Sequence, residues 1–311
     1  MFKNTVKILL NNFSSVWKIL LYKIITIICI MGLTTVICLP IINQLLNQNF
    51  FGFMQDNISN LFLNFNLNSF VEILMLILNK FYEIISNANL LPLAISVGAC
   101  ALVVYYFVDS LLILPVVEDT RSFMSNNYKL GFMNCYIANF GKSAKYSLVK
   151  LGTVFIWDLL IIAGSVGIYY ALSKTVLVIA PLVTIVFALL MYCLKTTLLV
   201  GVETAIVVHN CGIFEAVKRS FKATSKKFLT IFSASLMISI ILLLLNMFGI
   251  FFTFGVTNLI LLPLSLLTML IFKNVVYFEC TGMRYYVDSD TIMMPKKLEE
   301  QDKFSKVKDI I

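Results

Sequence analysis

Six predominantly apolar stretches, each long enough to cross a bilayer as a helix, constrain this chain more than anything else in it. A hydrocarbon core about 30 Å thick is crossed by about 20 residues of α-helix. The stretches fall at about 19–42, 90–117, 148–172, 176–202, 229–252 and 258–282. In lipid a backbone must pair its own N–H and C=O groups, so such runs are read as helices. The expected fold is all-α: a polytopic membrane protein of about six transmembrane helices. Composition fits this reading. Hydrophobic residues make up 60% of the 311 and charged residues 13%, with a mean hydropathy of +0.93. A soluble chain of this length needs a more polar exterior.

The placement of basic residues sets an orientation. Residues 1–18, 118–147, 203–228 and the region from 283 hold eighteen lysines and arginines, while the intervening segments outside the apolar stretches hold only Lys80 and Lys174. Under the positive-inside rule both termini face the cytoplasm. The expected location is a bacterial inner (plasma) membrane. A single transmembrane domain then covers 1–282, with 43–89 as an outer loop and 283–311 as a charged cytoplasmic tail. The stretch Ser69 to Ser86 is apolar but carries Glu72, Asn79, Lys80 and Glu83, too many costly groups for a span. Phe70, Ile73, Ile77, Phe81 and Ile84 recur at helical spacing, which predicts an amphipathic helix on the outer face. The first apolar run is too long for a cleavable signal and reads as a signal anchor.

The net charge of +8 raises the question of nucleic acid. The basic residues sit in short segments beside apolar runs, so they point to anionic lipid headgroups and no nucleic-acid partner. The seven cysteines, in an odd number and without a CxxC pair, form neither a disulfide framework nor a zinc site. His209, the only histidine, lies near Glu203 and Cys211 but makes a poor metal site. No phosphate-binding loop, HExxH or GxSxG is present, so no catalytic, cofactor or metal residues are assigned.

Three basic segments resemble one another. Phe132 to Tyr146 aligns with Phe214 to Phe228 at an offset of 82, matching Ser143 with Ser225 and Lys145 with Lys227. The N-terminus aligns more loosely. Each copy precedes two apolar runs that end near a carboxylate: Glu118, Glu203 or Glu279. The chain thus reads as three hairpins, each preceded by a basic interfacial helix. The clearest copy is 213–228. Phe214, Val217, Phe221 and Phe228 form a stripe flanked by Lys218, Arg219, Lys222, Lys226 and Lys227. That pattern suits a helix in the headgroup plane, a topology-fixing loop, or a docking helix for a cytoplasmic ATPase.

On the segment Phe214-Glu-Ala-Val-Lys-Arg-Ser before a span, the chain resembles poorly characterised bacterial six-span families. One is the membrane domain attached to bacterial glycerophosphodiester phosphodiesterases. The resemblance covers the last two-thirds of the chain. The phosphodiesterase domain has no counterpart here, so the resemblance implies no activity.

Asp109, Asp158, Lys195 and Lys273 fall inside apolar runs, where ionisable groups are costly and tend to pair within the bundle. The expected pairs are Asp158 with Lys195 or Asp109 with Lys273. Ala163, Gly167 and Ala171, and likewise Ala94 and Gly98, recur at four-residue spacing and predict close helix contacts. Two functional classes fit. One is a non-enzymatic protein that scaffolds or assists envelope components, with the charges serving helix pairing. The other is a transporter or permease subunit with its site at those charges and a membrane-protein or ATPase partner.

Overall fold

A computed structural model describes residues 1–63, 67–174, 176, 179–253, 255–288 and 291–294. It is all-α, with six helices long and apolar enough to span a membrane. The helices are α1 (Phe2–Asn11), α2 (Ser14–Ile37), α3 (Leu39–Asn47), α4 (Phe50–Leu63), α5 (Leu67–Asn87), α6 (Leu91–Leu111) and α7 (Ile113–Asn126). There follow α8 (Phe132–Ser173), α9 (Ala180–Leu198), α10 (Val202–His209), α11 (Ile213–Thr224), α12 (Phe228–Thr253) and α13 (Asn258–Thr281). A short antiparallel ribbon pairs β1 (Tyr285–Tyr286) with β2 (Ile292–Met293). Residues 295–311, most of the predicted tail, lie outside the described residues.

Helix boundaries follow local chemistry. Pro40, Pro92, Pro115 and Pro181 all fall in first turns, where a missing N–H costs nothing. Pro115 removes a donor and crowds the carbonyl of Leu111, and the break between α6 and α7 falls at Leu112. Asn49, Asn89, Asn127 and Asn210 adopt the left-handed conformation just past helix ends, a role asparagine tolerates well. Gly282 does the same after α13, at φ +73°.

The chain divides into two compact units, residues 24–106 and residues 1–23 with 107–311. In the first, α3, α4 and α5 pack around Ile41, Leu45, Phe50, Ile84 and Ile85. The predicted outer loop is therefore helical. The predicted stripe on α5 turns Ile77 and Ile84 onto this core. Phe70 has no described side chain.

In the second unit α13 is the central helix, touching α1, α7, α10, α11 and α12. Its Leu267, Leu270, Ile271 and Val275 close on Leu112 beside α7 and on Val202 and Ile206 of α10. Helix α1 lies against the far end of α13. Asn4 Nδ2 donates to the Tyr285 hydroxyl at 2.7 Å, Asn11 Nδ2 donates to the Val287 carbonyl at 3.2 Å, and Lys7 pairs with Asp288 at 3.4 Å. Burial, and then the Glu279 carboxylate, push the Tyr285 hydroxyl well above the ordinary tyrosine range, so it remains a donor.

Two expectations are corrected here. The segment 132–146 is not a separate interfacial helix. It runs without a break into the span, as α8 of 42 residues, because it contains neither proline nor a capping sequence. At 1.5 Å per residue such a helix is about 60 Å long, twice a bilayer core. The stripe Ala163, Gly167, Ala171 is exposed, with nothing near Gly167. The close approach to α9 is instead at Gly164, where a Cβ would sit 3.2 Å from the Phe187 ring.

Candidate functional site

Lipid is as apolar as leucine, so apolar contact alone gives helices little reason to associate in it. The polar side chains that α7, α8, α10 and α13 turn inward are therefore the informative ones. Asn274 of α13 is fully buried. Its Nδ2 donates to Thr120 Oγ1 at 2.6 Å and to the Val117 carbonyl at 3.3 Å, and its Oδ1 accepts from Thr204 Oγ1 at 2.7 Å. One amide thus ties α13 to α7 and α10.

One residue earlier, Lys273 Nζ donates to Glu203 Oε1 at 2.6 Å, and the Tyr146 hydroxyl donates to the same oxygen at 2.9 Å. The Glu203 side chain is 4% exposed. Its other oxygen, Oε2, is buried without a hydrogen-bond partner among the described residues. Asp109 receives Lys23 Nζ at 2.5 Å, and Asp158 is bonded to Lys195. Lys150, on α8, lies within electrostatic reach of Lys273, Glu203, Asp109 and Lys195.

Of the four charges singled out in the sequence, Asp158 and Lys195 meet one another. Asp109 and Lys273 do not meet. Each takes a partner near a run boundary: Lys23, close to the start of the 19–42 stretch, for Asp109, and Glu203, just past the 176–202 stretch, for Lys273. Asp119, 3% exposed and also near a run boundary, was missed; it accepts from Ser15 at 3.0 Å with Lys18 at 3.8 Å. Arg121 holds Glu118 through two nitrogens, at 2.6 and 3.1 Å. His209 Nε2 is 2.9 Å from the Tyr277 hydroxyl.

The five basic residues Lys218, Arg219, Lys222, Lys226 and Lys227 are all exposed. Arg219 pairs with Glu215 at 2.6 Å. Helix α11 buries only small side chains, Ala216, Ser220 and Thr224. Phe214 is 85% exposed and Phe221 57%. The predicted helix 213–228 stops at Thr224, and a 3-10 turn at 225–227 leaves Phe228 to begin α12. No protein family, curated protein or solved structure matches the chain.

Proposed function

We propose that this chain is a non-enzymatic multi-pass protein of a bacterial inner membrane, both ends cytoplasmic, that scaffolds or assists other envelope components. The observation that carries the reading is that the carboxylates within and beside the spans are consumed pairwise: half-buried Asp109 by Lys23, half-buried Asp158 by Lys195 and buried Glu203 by Lys273. Charges spent on joining helices serve architecture. The six spans then form three hairpins, with α1 and α11 as the interfacial helices. The outward Phe214 and Phe221, between exposed ammonium groups, suit a headgroup plane or a partner seated there. The likeness to six-span phosphodiesterase membrane domains rests on the same segment.

A photo-crosslinker in place of Phe221, activated in intact cells, tests the role. Discrete protein adducts are expected. Adducts to phospholipid alone would remove the scaffold reading. The orientation is tested by reporter fusions at Asn60, Asn134 and beyond residue 294. Only the first should be active outside, and external activity of the last would end the six-span arrangement.

The second reading, a transporter or permease subunit, is favoured by one feature: the unpartnered Oε2 of buried Glu203. A carboxylate half-satisfied by a lysine and a tyrosine is a place where a proton binds and leaves.

A further inference from the structure

Between α8 and α9 lies a cavity of about 210 Å³, lined by Thr153, Val154 and Trp157 on one side and Lys195, Leu198 and Leu199 on the other. Its walls are mainly apolar, and exposed Thr153 marks the side on which it opens. Two features of the lining suit an anionic ligand. The Trp157 indole N–H is buried and has no acceptor among the described residues. An unmet donor of this kind is costly anywhere and more so in lipid, where water does not compensate it. Beside it the Lys195 side chain, 13% exposed, brings an ammonium group to the cavity wall.

A hydrogen-bond acceptor bearing negative charge meets both needs, and an alkyl chain suits the rest of the lining. We propose that this cavity binds the anionic head and first methylenes of a single-chain amphiphile, a carboxylate or phosphate carried on an alkyl chain. The head accepts from Trp157 Nε1 and faces Lys195, and the chain leaves past Thr153. This goes beyond the scaffold reading, and its test is separate from the crosslinking that tests that reading.

The chain has two tryptophans, so Trp17→Phe leaves Trp157 as the only indole fluorophore. Trp17 is half-exposed on α2 and belongs to no part of the site. The full-length variant in zwitterionic detergent is titrated with dibrominated octadecanoate, the matching alkyl phosphate and the matching alcohol. Saturable quenching by both anions is expected, reversed by unbrominated octadecanoate, with half-saturation by the alcohol about tenfold higher or more. Inorganic phosphate is expected to displace nothing. Val154→Phe fills the cavity without touching the Asp158–Lys195 pair and is expected to abolish the saturable phase. The double change Asp158→Asn, Lys195→Gln is expected to raise half-saturation by the anions about tenfold. Should that double variant fail to fold, Val154→Phe decides alone. Equal quenching by alcohol and anion, quenching that rises linearly without saturation, displacement by inorganic phosphate, or an unchanged titration in Val154→Phe would each overturn the proposal.

Discussion

Lys273→Met is expected to lower stability by about 3–5 kcal/mol, the cost of leaving one buried charge without its counter-ion. The stranded group is Glu203, 4% exposed, whose remaining contact on Oε1 is the Tyr146 hydroxyl at 2.9 Å. The double change Lys273→Met, Glu203→Gln removes both charges and should cost less than half as much, because desolvation of the pair is refunded with its attraction. Unfolding by an anionic detergent titrated into mixed micelles measures both. A double variant as unstable as the single one would show that the ion pair is not what the site depends on. The same double variant separates the two functional readings. A protein that scaffolds keeps its function when the fold is intact, and a transporter that uses Glu203 as a proton site folds and loses activity.

Gly201→Ala should also destabilise, by about 1–3 kcal/mol, through overpacking. Gly201 sits at the break between α9 and α10, and its N–H donates to Ser220 Oγ at 3.1 Å. A Cβ there would stand 2.5 Å from Tyr277 Cδ2 and 2.8 Å from Ser220 Oγ. Neither neighbour yields easily. Tyr277 is 1% exposed and bonded to His209, and Ser220 is fully buried. Thermal unfolding in detergent should show the loss. Adding Tyr277→Leu should recover part of it, so that the double variant is less damaged than the two single effects combined. Strict additivity would mean that the ring is not the obstacle.

The sequence displays the six apolar helices openly, because hydropathy over about 20 residues is a strong local signal. It displays the buried charges only in part. Asp158 and Lys195 stand inside apolar runs, so both were visible, and they meet. Glu203 and Lys23 stand at the edges of such runs, where a charge normally reaches water. Their burial comes from α13 and α6, which lie far off in sequence. Asn274 gives no sequence signal, since one amide in an apolar run says nothing of the threonines that meet it. The alanine–glycine stripe of α8 was misleading for a related reason. Spacing shows which residues share a face, and only the neighbours decide whether that face turns inward or to lipid.

The docking of α1 has a consequence for the order in which the molecule is made. The bonds from Asn4, Lys7 and Asn11 reach across 276–281 residues of chain. Contacts of such separation form only after the intervening loop has closed. During synthesis the first helix therefore waits, with Ile8 and the rest of its apolar side uncovered, while the helices between are placed. Its binding site, the end of α13 and the ribbon at Tyr285, is translated 276–281 residues after the groups that bind it. A ribosome that stalls before that point leaves the first helix with nothing to bind. The clasp between α1 and the ribbon thus closes only after Tyr285 and Val287 have been made, and until then the first helix is held by none of these bonds.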